Sequence, residues 1–548
     1  MNRYTIGIDF GTLSARAIIL DAVTKLEVAE AVFEYPHGVM DKTLPGGGKL
    51  EAQSALQHPR DYLEALTKLI KDLLFSSGLS AEDISAIGID FTSCTILPVY
   101  ADGTPLCFDE KFKDEPHAYV KLWKHHGAQD EADAITRIAE NRGEKWLDIY
   151  GGRISSEFLF PKILETLNKA PHVYNSAHTF IEAGDWLSFI LTGKWTRSVS
   201  FAGYKAMWTA DGGYPSKEYF AELDSRLENV FPEKLDPSVT PITEDAGRLN
   251  AYGASLLGLK EGTPLSLPVI DAQAGIPALG VTKAGEAVLI LGTSGCLIWH
   301  EKERIDIPGL LGYCQGAMIP GYYTYEAGQA SLGDAFDWFV KNCVPKHYAD
   351  EAAEKGISIH KLLREKALTL DIGESGIIAL DWLNGNRSLL CDSQLSGLIL
   401  GITLTTKPEE IYRALIEATA FSTRMIIDKA ESCGSEIKKI CASGGIALKD
   451  EMMMQIYADV IGKELRVSSA KQAGAYGSAI RASVSAGIYK DIFDAAEALA
   501  KPCAKIYYPD PKRRQAYEPL YEEYKLLHDY FGKGENDVMK RLKKFAKN

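Results

Sequence analysis

Two short turns carry the residue types that handle phosphate: Asp9-Phe10-Gly11-Thr12-Leu13-Ser14 near the start of the chain and Gly292-Thr293-Ser294 about half the chain later. In each, a glycine beside hydroxyl residues exposes consecutive backbone N–H groups, a cradle for phosphate oxygens. Asp9 at the strand tip offers a hard carboxylate oxygen suited to Mg²⁺. Asp271, after the apolar run Val269-Ile270, could accept a proton from a hydroxyl; it could equally cap a helix. Gly444 and Gly445, in Ala442-Ser443-Gly444-Gly445-Ile446, permit close approach of a flat or charged ligand, although an ordinary strand-to-helix turn has the same spelling. Lys205 and Glu326 lie among aromatic residues, as a sugar site requires, but most such side chains are simply solvated. Trp123-Lys124-His125-His126 is a poor metal pair, because adjacent histidines on a helix point apart.

Alternating apolar residues predict strands at 4–10 and 287–291, each followed by its Gly-Thr turn and a second strand, 17–20 and 296–299. Further strands at 84–90 and 265–270 deliver Asp90 and Asp271 at their ends, where chemistry collects in mixed α/β sheets. Helical stripes follow Pro59 and Pro408, and Leu448, Met452, Ile456 and Val460 predict one helix over 447–461. The glycine-rich stretch 275–285 marks a boundary, giving domains over 1–281 and 282–511, with a charged, Tyr-rich helical tail over 512–548.

A chain of 548 residues, 46% hydrophobic and 24% charged, has the composition of a multidomain globular protein. Its formal net charge of −14 argues against nucleic-acid binding, which would show a basic stripe. The nine cysteines include no CxxC, so reduced thiols in a cytoplasmic protein are expected. No apolar run approaches the ~20 residues of a membrane span.

Taken together, the segments DFGTLSAR (9–16), GIDFTSCT (88–95), PVIDAQAG (268–275), LILGTSG (289–295), ASGGI (442–446) and AGAYGSA (473–479) resemble the FGGY carbohydrate kinases, and in that order. HGVMD (37–41), LQHPRDY (56–62), LWKHH (122–126), ALDWLNGNR (379–387) and LYEEYKLLHDYFG (520–532) are most similar to members acting on L-ribulose. The resemblance implies an α/β protein of two ribonuclease-H-like domains, of the actin/hexokinase-like ATPase kind, around a central cleft, with a C-terminal helical appendage. It implies ATP and Mg²⁺ and phosphorylation of a ketopentose at O5. It implies Asp271 as the base and Asp9 as support for Mg²⁺. Gly11, Thr12, Ser14, Gly292, Thr293 and Ser294 would meet phosphates, and Gly444 and Gly445 the adenosine side. Ser93, Cys94, Lys205 and Glu326, with Asp271, would line the sugar pocket.

This chain departs from many members by carrying Ile446 for a third glycine and Lys449-Asp450 for an asparagine, so Asp450 could repel phosphate if turned inward. The Met-His-Gly of xylulose-specific members is replaced by Thr92-Ser93-Cys94. A kinase of D-ribulose or several ketopentoses is the near alternative, and a non-catalytic actin-like or sugar-sensing protein the distant one. The chain could form a homodimer, with no surface identified.

Overall fold

The computed structural model describes residues 3–310 and 312–545. The chain divides into two compact units, one of residues 1–282, 313–324 and 472–501, the other of 283–312, 325–471 and 502–548. The chain first passes between the units at 282/283, and residues 472–501 return to the first.

In the first unit the opening strand Tyr4–Phe10 pairs antiparallel with Ser14–Asp21, which pairs with Leu26–Glu34. On its other side it pairs parallel with Ile84–Phe91, aligning Asp9 with Asp90. The short strand Val269–Ile270 lies parallel beside Asp90 and Phe91, so three strand ends deliver three aspartates to one place. Helix Ala473–Ser485 packs across this sheet because glycines clear its path. A Cβ on Gly7 would fall 1.8 Å from the Ala475 carbonyl oxygen, and one on Gly88 2.0 Å from that of Ser478. Gly7 and Gly88 are register partners, so the gap is continuous across two strands.

The first unit also carries a four-stranded sheet ordered Leu56–Gln57, Val120–Lys121, Ile96–Val99, Thr179–Glu182. A large apolar cluster packs around it, including Cys94, Phe158, Ile163 and Met207.

The second unit repeats the scheme. Glu286–Leu291 pairs antiparallel with Gly295–Glu301 and parallel with Lys439–Ser443, which pairs with Leu465–Ser468 and then Cys503–Tyr507. The helix expected over 447–461 is two: Gly445–Lys449 and Glu451–Ile461. Asp450 breaks it, leaving helical geometry (φ −115°, ψ 84°) to accept the Met453 N–H as an N-cap. Helix Pro511–Gly532, followed near the C-terminus by the short helix Val538–Lys543, buries Tyr517, Tyr521, Tyr524 and His528. The Tyr524 hydroxyl donates to Asp381 and that of Tyr521 to Asp428. Among the described residues no helix is long and apolar enough to cross a membrane.

Candidate active site

The two Gly-Thr turns are built alike. In the first, Gly11 N–H donates to the Ser14 carbonyl at 3.1 Å; in the second, Gly292 N–H donates to that of Ser294 at 3.1 Å. The second turn is one residue shorter between its strands, with Leu291 facing Gly295 where Phe10 faces Ala15. Helix Gly333–Cys343 braces it: the N–H groups of Leu332 and Gly333 donate to the Thr293 and Gly292 carbonyls at 2.9 and 3.0 Å. Thr293 is exposed, with Gly292 and Ser294 half-buried.

Thr12 is held from far along the chain. The Trp123 indole N–H donates to its hydroxyl oxygen at 3.0 Å, and the Gln57 amide to its carbonyl at 2.7 Å. An indole nitrogen only donates, so the Thr12 hydroxyl accepts there and keeps its own proton for another acceptor. No sequence signal linked Trp123 or Gln57 to this turn.

Asp9 lies opposite Arg16 on the paired strand. Burial raises its pKa, while a hydrogen bond with Asp90 and the Arg16 charge pull it back. Asp90 is fully buried. Burial first, then the charge of Asp9, lifts its carboxyl well above the ordinary range, with Asp271 adding to the push. A neutral Asp90 is the expected state, because neighbouring buried carboxylates cannot all ionise. Ser478 donates to Asp90 at 2.6 Å, and Gly474 leaves room for Asp9, since a Cβ there would fall 3.0 Å from Oδ2. Asp271 is half-buried at the first position of helix Asp271–Ala274, and its Oδ1 accepts the Ala272 N–H at 2.7 Å. The helix cap itself is Ile270, so Asp271 does not take the N-cap position.

Among the described residues no three His, Cys, Asp or Glu converge as a metal cage. Mg²⁺ needs none: it is commonly held by one or two carboxylates together with substrate phosphates and water. A half-buried Asp9 oxygen at a strand end fits that donor set.

Ser93 and Cys94 follow the strand carrying Asp90, and Lys205 ends helix Val199–Lys205. The Lys205 ammonium lies 5.2 Å from the Phe158 ring centre and acts electrostatically on Cys94. Ser93 is half-buried, but the Cys94 thiol is 1% exposed within the apolar cluster. Burial pushes that thiol up to about 12, leaving it neutral. The buried thiol is therefore closed to a ligand, and only the Cys94 backbone is left to meet one. Glu326 is half-buried on strand Tyr323–Gln329 of the second sheet, its N–H donating to the Gly312 carbonyl at 3.2 Å.

Gly444 has φ +104°, and a Cβ there would fall 2.4 Å from the Leu291 carbonyl oxygen, so this position requires glycine. Gly445 is exposed with open space at its Cα. Asp450 is 4% exposed and paired with Arg364 at 3.0 Å. Its carboxyl is committed to the cap and the guanidinium, which answers the concern that it turns toward phosphate.

Residues 4–277 match the FGGY family of carbohydrate kinases, N-terminal domain, and residues 287–486 the C-terminal domain of the same family. The chain belongs to the FGGY family of carbohydrate kinases. A ribulokinase of Halalkalibacterium halodurans is 48% identical, the alignment covering 99% of this chain and 97% of the relative. Ribulokinases of Geobacillus thermodenitrificans and Mycolicibacterium smegmatis are 46% and 41% identical over 99% and 100% of this chain and 97% of each relative. The fold matches a xylulose kinase from Rhodospirillum rubrum (TM-score 0.79, 23% identity, 96% of this chain and 98% of that one). It also matches a glycerol kinase from Plasmodium falciparum (TM-score 0.75, 17% identity, 96% and 98%). Two mixed α/β sheets are consistent with the actin/hexokinase-like fold expected for this family.

Proposed function

We propose that the protein transfers the γ-phosphoryl group of ATP to O5 of L-ribulose, forming L-ribulose 5-phosphate and ADP in L-arabinose catabolism. The observation that carries this reading is near-complete alignment with several ribulokinases at 41–48% identity.

Asp271 is the proposed base. The bond from O5 to Pγ forms as the bond from Pγ to the β–γ bridging oxygen breaks, and the O5 proton passes to the Asp271 carboxylate. Phosphoryl transfer is largely dissociative, so the proton leaves late and an ordinary carboxylate suffices. Neutral Asp90 supports this assignment by sparing Asp271 a second full negative charge. Gly11, Thr12 and Ser14 in the first unit and Gly292, Thr293 and Ser294 in the second are the proposed phosphate contacts. Gly444 and Gly445 are proposed for the adenosine side, and Ser93, the Cys94 backbone, Lys205 and Glu326 for the sugar. Asp9 would hold Mg²⁺, which when bound neutralises charge on the β- and γ-phosphates.

A cytoplasmic location and assembly as a homodimer complete the proposal. The nine cysteines, all free among the described residues, support the former. The test is ADP release coupled to a reporter with L-ribulose, D-ribulose, D-xylulose and L-xylulose. The expected result is the highest kcat/KM with L-ribulose. Equal turnover of several ketopentoses would replace it with a broader kinase, and no sugar-dependent ADP release would remove the reading.

A further inference from the structure

Among the described residues, five non-glycine residues have left-handed backbone: Lys25, Gln53, Cys94, Met207 and Cys391. Lys25 and Gln53 are exposed and Cys391 is half-buried. Cys94 and Met207 are 1% and 0% exposed, and both belong to one apolar cluster. Each adjoins a proposed sugar contact, Cys94 next to Ser93 and Met207 two residues from Lys205. Strained backbone persists only where surroundings over-determine it.

At Cys94 those surroundings are specific. Lys162, fully buried on helix Leu159–Lys169, donates its ammonium to the Cys94 carbonyl and to that of Leu122 at 2.8 Å. On the other side of the same loop, Glu182 Oε2 accepts the Thr95 N–H at 3.1 Å. The Ala183 N–H donates to the Thr95 carbonyl at 2.7 Å, and the Thr92 and Thr95 hydroxyls share a hydrogen bond of 2.7 Å. Glu182 is 2% exposed, and its other oxygen, Oε1, has no hydrogen-bond partner. An ammonium and a carboxyl without solvent are costly to hold. Burial draws Lys162 down and pushes Glu182 up, each to about 8, and each charge partly offsets the other's shift. The apolar cluster around them would be served as well by hydrophobic residues. What the pair does that those could not is grip one peptide carbonyl and the next N–H.

We propose that Lys162 and Glu182 are positioning residues for the sugar: they clamp Cys94 in its left-handed conformation and so present Ser93 and the Cys94 backbone to the ketopentose. This rests on the sugar-site reading above. Neither side chain touches substrate, and the clamp acts on sugar affinity rather than on ATP or the chemical step.

The test compares Lys162→Met with Lys205→Met and the double variant Lys162→Met/Cys94→Gly in the full-length protein, measuring KM for L-ribulose, KM for ATP and kcat. Lys162→Met is expected to raise the L-ribulose KM about tenfold, the size of one lost charge-assisted hydrogen bond, with ATP KM moving less than threefold. Glycine takes φ +53° without a clamp. The double variant should therefore recover most of the lost sugar affinity, which a merely structural role for Lys162 would not predict. Should Lys162→Met not fold, Glu182→Leu removes the grip on Thr95 and is expected to show the same KM split. If Lys205→Met raises the sugar KM while Lys162→Met or Glu182→Leu leaves it unchanged, the clamp is refuted and the sugar site stands. If Lys205→Met also leaves it unchanged, or the wild type does not turn over L-ribulose, both fall.

Discussion

Gly7→Ala is the sharpest test of how the first unit positions its aspartates. The added methyl would lie 1.8 Å from the Ala475 carbonyl oxygen and 2.5 Å from the Ala479 nitrogen. Both atoms are helix backbone, so no side chain can swing aside. Restoring van der Waals contact needs the helix to retreat on the order of 1.5 Å. That retreat breaks two bonds tying helix to sheet: Ser478 to Asp90 at 2.6 Å and Thr5 to the Ala479 carbonyl at 3.0 Å. Overpacking costs about 1–3 kcal/mol, and the two hydrogen bonds about 1 kcal/mol each. The stiffer unfolded chain of alanine returns at most ~1 kcal/mol. The net loss is about 2–4 kcal/mol. At about 2–4 °C per kcal/mol for a domain of this order of size, the thermal transition of this unit should fall by ~4–16 °C. The assay is differential scanning calorimetry beside steady-state kinetics, with Gly48→Ala as control, whose Cβ would meet Leu44 Cδ1 at an ordinary 3.9 Å. A Gly7→Ala transition within about 1 °C of wild type, with unchanged kcat, would refute the argument that missing side chains let this helix set the site.

Trp123→Phe keeps the ring but removes the N–H bonded to Thr12. It should raise the ATP KM severalfold with little change in L-ribulose binding, measured by initial rates and isothermal titration. Asp450→Ala should lower stability by about 1 kcal/mol or more through loss of the helix cap, read as a thermal shift, with ATP KM nearly unchanged; a large fall in ATP KM would show that Asp450 does repel phosphate. Glu165 provides a pH test. Burial alone would raise its pKa, but the Lys121 ammonium at 2.6 Å and His125 at 2.9 Å outweigh that and hold its carboxyl far below the ordinary glutamate range. Burial draws Lys121 down and His125 down to about 4, so below neutral pH the protonation of His125 adds to that of the carboxylate. A depressed carboxylate stabilises the fold above its unfolded pKa and loses that contribution as pH falls below it. The difference in melting temperature between wild type and Glu165→Gln should therefore be largest at pH 6–7 and shrink below pH ~4.5; a constant difference would falsify the assignment.

Local spelling made much of the site legible. Both Gly-Thr turns and the strands around them follow from alternation and glycine placement, and Asp271 stands at a strand end as its sequence context implies. What spacing hides is action at a distance. Trp123 reaches Thr12 across 111 residues. Asp90 is visible at its strand end, but the upward shift of its carboxyl comes from burial first and then from neighbours on other strands. The periodic row from Leu448 to Val460 suggested one helix because hydrophobic period does not register an Asp that caps its own successor. Nothing in the spelling of 473–485 names the sheet it covers; the paired absence of side chains at Gly7 and Gly88 is what lets it lie across the first sheet.

The proposed role of Asp271 is to accept the sugar proton during phosphoryl transfer. It is tested most directly by rapid-quench measurement of single-turnover ADP formation by Asp271→Asn with saturating L-ribulose and ATP, beside calorimetric binding of the sugar. Loss of general-base catalysis of this kind is worth about 10²–10⁴-fold, so the account predicts a rate lowered to that extent with L-ribulose binding still measurable. Single-turnover rates within a fewfold of wild type, with normal sugar binding, would contradict it.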